Sequence, residues 1–273
     1  MTNLLVCIRC HKYPTLVEDT ISSVKWATDS SFTKIMLAVD GQSSISSKFA
    51  GRGDLKVYAS NKRWGWGAGL YGLMAESISW AEKNFSFDHF LSIDYDALFI
   101  KQKADVALLT LIDSEDVGLI GAHEPDSVRG KASVKSSWNG VISAFGEPSS
   151  NYIFGEGVQG GCMLLTRRAI NEMAARGMFD GNFKKAKEFV RITDDRLLPM
   201  FVRMCGLTIK DCKLIRCEWT ASGDPRGLES KGIYLIHPTK LRPKGSTVAT
   251  EVTMRNYFRK IRGENPLPLT LKE

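Results

Sequence analysis

FDHFLSIDYDALFI, residues 87–100, sets two aspartates one residue apart directly after an apolar run. Phe90, Leu91 and Ile93 suit a buried strand, which has no obvious use for two carboxylates at its end. Side chains in extended chain alternate with period two, so Asp94 and Asp96 point the same way and Tyr95 the other. Two carboxylates on one side repel unless a cation sits between them. Oxygen ligation of this kind suits Mg²⁺ or Mn²⁺, ions that bridge to substrate phosphates. Aspartate is also a common turn residue, so the pair by itself leaves a solvated turn open.

Working outward, NLLVCIRC, KIMLAVD and DLKVYAS read as strands on the amino-terminal side. Helical spacing runs from Thr15 to Ala27 and from about Leu70 to Lys83. Beyond the aspartates follow a helix near 103–112, the strand VGLIGA, and an excursion from about Glu124 to Gly157 rich in Gly, Ser and Pro. QGGCMLLT, CKLIRCEW and GIYLIH read as later strands, with helices over Arg167 to Arg176 and Asp195 to Cys205. Alternating strands and helices predict an α/β protein with a mixed, mostly parallel sheet flanked by helices. Ligands of such sheets sit beyond the carboxyl ends of the strands. Arg9, Asp40, Asn61 and Asp94 all fall at that edge.

The composition is that of a globular protein: 273 residues, 43% hydrophobic and 25% charged. Six scattered cysteines lack metal-ligand spacing and are expected as reduced thiols in a cytoplasmic protein. No apolar run approaches 18 residues and no signal-like leader opens the chain, so any membrane contact is expected to be peripheral. Net charge is +7 and uneven: residues 181–273 carry 19 Lys/Arg against 10 Asp/Glu, the first 180 carry 18 against 20. A basic final third suggests an anionic partner or merely a solubilising surface.

Other stretches add chemistry. In NKRWGWGAG, Gly65, Gly67 and Gly69 precede a helix whose amides could meet a phosphate; a flexible turn is the alternative. Asp194 and Asp195 open a helix, as N-terminal acids stabilised by the macrodipole or as a carboxylate base for an acceptor hydroxyl. Gly160 and Gly161 let a bound molecule lie against backbone, or mark a bulge. His237 ends a strand as a structural histidine or a third metal ligand, with Lys240 near a phosphate.

The order of these features resembles a GT-A glycosyltransferase of the family 2 kind, over roughly residues 4 to 206. It rests on Asp40 after the second strand, Asn61 with its Gly-rich loop, LSIDYDALF, GVQGGCMLLTRRAI and TDDRLL. The resemblance implies one GT-A domain over 1–273: a nucleotide-sugar half (1–100), an acceptor and catalytic half (101–240) and a basic tail (241–273). It implies a nucleoside-diphosphate sugar as donor, a UDP-sugar first among the choices, held by Arg9, Asp40, Asn61, Gly65, Gly67, Asp94 and Lys240. Asp94, Asp96 and His237 would hold Mn²⁺ or Mg²⁺. Gly160 and Gly161 would border the acceptor, and Asp195, supported by Asp194, would be the base of an inverting transfer. The acid pair is Asp-Asp rather than the commoner Glu-Asp, and no QxxRW motif of processive synthases is present.

For the acceptor, FKKAKEFVR, KLRPK and MRNYFRKIR tilt the expectation toward DNA carrying a hydroxymethylated base, as phage enzymes modify. A cell-envelope or lipid-linked glycan is the alternative; the last basic stretch, as an amphipathic helix, can also lie on anionic lipid or, most commonly for such helices, dock on the core. A nucleotidyltransferase would share the sheet and the acidic ligands, but IRCHKYPT lacks the glycine run it usually carries. A non-enzymatic nucleic-acid-binding domain, its aspartates incidental, is the remaining reading.

Overall fold

A computed structural model of the chain describes residues 3–65, 67–180, 192–217, 225–228, 230–239 and 248–268. The main sheet has seven strands in the order β3-β2-β1-β4-β7-β6-β8. These are β1 (Leu4–Cys10), β2 (Thr33–Val39), β3 (Lys56–Ala59), β4 (His89–Asp94), β6 (Val117–Glu124), β7 (Gly157–Thr166) and β8 (Thr208–Asp211). β1 is parallel to β2 and β4, β2 to β3, and β6 to β8; β7 runs antiparallel to both β4 and β6. A smaller sheet, β5-β10-β9, joins β5 (Leu98–Phe99), β9 (Ile215–Cys217) and β10 (Leu235–His237). Its β10–β5 pair is antiparallel and ties the chain just after Asp96 to the strand that ends in His237.

All seven residues of β1 are buried, as a strand covered on both faces requires. Period-two alternation sends Leu4, Val6 and Ile8 into one apolar cluster and Leu5 and Cys7 into the other. Helix α1 (Pro14–Ala27) covers the first face, and α3 (Ala68–Asn84) the second. Between β2 and β3 lies α2 (Ser44–Phe49), started where the Ser43 hydroxyl accepts from the Ile45 amide. The strand Thr208–Asp211 has little apolar character and was not foreseen; its position comes from pairing with β6.

Helix α4 (Ala104–Leu109) precedes β6, and the segment expected as a Gly/Ser/Pro-rich excursion contains two helices, α5 (Val128–Lys135) and α6 (Trp138–Phe145). Val134, Val141 and Phe145 bury against the core, and this packing overrides weak local propensity. Helices α7 (Arg167–Ala175) and α8 (Asp194–Met204) follow, and α8 holds the excursion in place. Arg203 on α8 donates to both oxygens of Glu156 (2.9 and 3.2 Å), and His123 approaches Glu156 at 3.0 Å. Glu156 is fully buried. Burial opposes its charge, but His123 and Arg203 outweigh it and hold its carboxyl below the usual range. A lowered folded-state value means the unfolded chain takes up this proton first. The stabilisation is therefore complete above the ordinary value of 4.5 and is lost as pH falls through the lower folded one. Melting temperatures followed from about pH 6 down to about pH 3 should fall less steeply with acid in Glu156→Gln than in the parent.

The closing helix α9 (Val248–Ile261) changes the reading of the basic tail. Arg255 is completely buried and donates to Asp19 (2.7 Å), Glu251 (3.1 Å) and the Tyr95 carbonyl (2.8 Å). Arg259 and Arg262 also converge on Asp19. Burial opposes the Asp19 charge, and the arginines more than offset it, holding its carboxyl below the usual range. Three arginines that looked available for an external polyanion are thus engaged inside the protein. The other two basic stretches, 183–191 and 240–244, lie outside the described residues. Truncating Arg255 leaves two buried carboxylates without their main partner. Arg255→Ala should cost about 3–5 kcal/mol in denaturant unfolding. A loss below about 1 kcal/mol would contradict this account of the helix.

Candidate active site

The carboxyl ends of β1, β2 and β4 lie side by side, and the Asp94–Asp96 turn is built on them. The Tyr95 amide donates to the Arg9 carbonyl at 3.0 Å, and the Ala97 amide to the Asp94 carbonyl at 2.9 Å. The Tyr95 carbonyl accepts from Thr20 (2.7 Å) and Arg255; the Asp96 carbonyl accepts from the Thr239 amide (2.8 Å), with the Thr239 hydroxyl oxygen 3.0 Å away. Thr239 donates in turn to Glu251 of α9 at 2.8 Å. The turn is therefore gripped through its backbone, which leaves its two carboxylates to face the site.

His237 stands at the end of β10 with Nε2 3.6 Å from Asp94 Oδ2 and 3.4 Å from Asp96 Oδ1. One donor atom from each of Asp94, Asp96 and His237 lies within 4.8 Å of the others. Burial disfavours the imidazolium, but Asp94 and Asp96 outweigh it and hold His237 well above its ordinary value. The proton thus sits where a divalent cation would take its place. Two carboxylates and an imidazole suit Mn²⁺ at least as well as Mg²⁺, which prefers oxygen alone.

Gly161 packs against this cluster. Its φ is +89°, and a Cβ there would lie 2.4 Å from both Cε1 and Nε2 of His237. Only glycine lets the imidazole close on the aspartates. Gly161→Ala should weaken Mn²⁺ binding about 10- to 100-fold by calorimetry, as displacing a ligand's support does; unchanged affinity would rule out this role.

Arg9, expected to touch the donor, is instead enclosed. Its Nη2 lies 3.0 Å from Asp94 Oδ1 and its Nη1 2.8 Å from Asp194 Oδ2. One buried guanidinium therefore links Asp94 of the Asp94–Asp96–His237 cluster to the acid pair. Burial drives the Asp194 carboxyl up to about 6; Arg9 pulls it down and Asp195 pushes it up. Asp195 follows on the first turn of α8 and accepts from the Thr193 hydroxyl. Gly160 faces the pair: a Cβ there would lie 3.5 Å from Asp194 Oδ1 and 3.8 Å from the Asp195 Cβ.

Asp40 is occupied as well. Its Oδ1 accepts from the Trp64 amide at 2.6 Å and its Oδ2 from the Gly65 amide at 3.0 Å, so it shapes the Gly-rich loop. The Trp64 indole donates to Glu76 of α3 at 2.8 Å, a second anchor for the same loop. Gly65 and Gly67 have φ of +71° and +73°, the left-handed region that turns the chain into α3. Asn61 is exposed on this loop. Lys240 lies outside the described residues.

Thr20, Thr239 and Glu76 carry no sequence signal for their roles, and Arg255 carries only that of a basic stretch, because nothing in their local sequence signals a long-range partner. Cys217 carries none either. It pairs with His237 across β9 and β10, and its thiol is pulled down to about 6, first by Cys162 and then by His237, against burial.

No family model matches the chain, and no curated protein matches its sequence. Solved structures do match its fold. The galactosyltransferase LgtC, in complex with donor and acceptor sugar analogues, aligns over 97% of both chains with TM-score 0.51 at 13% identity. The mannosyltransferase PcManGT from Pyrobaculum calidifontis, in complex with GDP-Man and Mn²⁺, aligns over 98% of this chain and 66% of its own, with TM-score 0.51 at 11% identity. The bifunctional glycosyltransferase WbbM aligns over 96% of this chain and 51% of its own, with TM-score 0.53 at 10% identity. The fold is the GT-A fold of glycosyltransferases, as the order of motifs led one to expect. Among the described residues no helix is long and apolar enough to cross a membrane.

Proposed function

We propose that the chain is a divalent-metal-dependent glycosyltransferase that moves a sugar from a nucleoside-diphosphate sugar to an acceptor hydroxyl. The observation that carries this reading is the convergence of Asp94, Asp96 and His237 at the carboxyl edge of the sheet, in a fold shared with a mannosyltransferase solved with GDP-Man and Mn²⁺. Bound there, Mn²⁺ or Mg²⁺ would neutralise the diphosphate that leaves. The loop held by Asp40 and Glu76, with Asn61, Gly65 and Gly67, lies along the nucleotide; a UDP-sugar is the first donor to test. Arg9 contributes by fixing the spacing of Asp94 and Asp194. Asp195 takes the proton of the acceptor hydroxyl, and Gly160 leaves room for that acceptor beside the pair. Direct displacement by this hydroxyl inverts the anomeric configuration. Residues 1–100 then serve mainly the donor and 101–240 the acceptor.

For the acceptor we favour a glycan hydroxyl, the class that the LgtC complex carries as a sugar analogue. The basic tail that suggested DNA spends three of its arginines on Asp19. The test is release of nucleoside diphosphate from UDP- and GDP-sugars, with Mn²⁺ and EDTA arms and both glycan and hydroxymethylated-DNA acceptors. Turnover with DNA alone would reverse the acceptor choice; no metal-dependent turnover of any donor would overturn the class.

A further inference from the structure

A cleft of about 450 Å³ runs along α3, lined by the rings of Tyr58, Trp64, Trp80 and Phe179 with Glu76 and Lys83 beside them. None of Asp94, Asp96, His237, Asp194 or Asp195 lines it. It meets a second cleft of about 240 Å³ at Ser79, Phe179 and Asp180, so the two form a groove. The first volume falls within the roughly 300–1,000 Å³ of small-molecule sites.

The lining is mixed in a particular way. Trp80 and Tyr58 pack at 5.7 Å between centroids and remain half-buried, which leaves ring area open to the groove. Trp64 is fixed as a wall: its indole bonds Glu76, and a Cβ on Gly72 would lie 2.2 Å from its ring. Glu76 Oε2 takes donors from Tyr58 (3.0 Å), Ser60 (2.7 Å) and Trp64 (2.8 Å), while Oε1 has Lys62 at 3.9 Å and stays partly open. An aromatic face carries negative potential and attracts polarised C–H groups. A carboxylate oxygen and an ammonium beside it accept from and donate to hydroxyls. A pyranose, with one C–H face and a rim of hydroxyls, matches both demands at once. Among the described residues no arginine lines the cleft to balance a phosphate.

We propose that this groove is a carbohydrate-binding site for neutral pyranose rings, separate from the metal cluster. It goes beyond the transferase reading and does not depend on it. Its occupant touches Trp64, whose amide Asp40 holds, and so lies against the donor loop.

The test is calorimetry and tryptophan fluorescence with maltotriose, cellobiose, lactose and chitobiose, in EDTA and without donor, so that a failed transfer reaction has no bearing on it. At least one saccharide should bind saturably. Trp80→Ala should weaken that binding about tenfold or more, a loss of one stacking surface. Ser79→Gln, which fills the groove where the two clefts meet without removing a core side chain, should do the same with the melting temperature preserved. Asp96→Ala should leave it unchanged. Absence of saturable binding across the panel, binding indifferent to both groove variants, or binding of uridine or guanosine in place of the saccharides would overturn the proposal.

Discussion

Replacing Asp96 by alanine is expected to lower transfer by at least about a thousandfold and to abolish metal-dependent binding of the donor. Asp96 is 6% exposed, and its backbone is already fixed by Thr239, so the substitution removes a carboxylate and little else. Asp94 cannot substitute for it, because one of its oxygens is committed to Arg9 at 3.0 Å. His237 would keep a single carboxylate partner and should hold its proton less tightly, but it brings no negative charge to a cation. Turnover and Mn²⁺-dependent donor binding should be measured together, with melting temperature as the control for folding. Retention of more than about a tenth of parental turnover would show that the cation, if required, is held elsewhere.

Asp195→Asn is expected to separate binding from chemistry. The amide is nearly isosteric and still accepts from Thr193, so α8 keeps its start and Arg9 keeps both carboxylates. Only the capacity to take a proton is lost, and a general base is worth about 10²- to 10⁴-fold. The turnover number should therefore fall by that factor while Mn²⁺-dependent donor affinity stays within about threefold of the parent. Equal loss of both would sink the assignment of Asp195 as base. Transfer that persists with retained configuration would sink the inverting mechanism while leaving the metal site intact.

Elements with strong periodicity were legible along the chain. The apolar runs of β1, β2 and β4, the long helix α3 and the aspartate pair at the end of β4 all carry local signals. Their order was enough to reach the GT-A fold, because sheet topology places the carboxyl ends of parallel strands at one edge. β8 was not legible, since a short strand with little apolar character takes its conformation from its neighbour. The two helices of the excursion were hidden by their Gly and Ser content, and only the packing of Val134, Val141 and Phe145 reveals them.

The site divides along the same line. Local sequence supplied the residue types that can act there: two aspartates one residue apart at the end of a strand, an acid pair at a helix start, a histidine at a strand end. The aspartates come together in a turn rather than in extended chain, held by backbone bonds to Arg9 and Thr239. Which of them meet was settled by long-range packing. A buried guanidinium at Arg9 joins residues 94 and 194, Gly161 makes room for His237, and Arg255 turns a basic tail into an internal brace for Tyr95. A charged side chain buried without a partner is too costly to persist, so each of these arginines had to find its carboxylates. Where those carboxylates lie is a property of the folded chain alone.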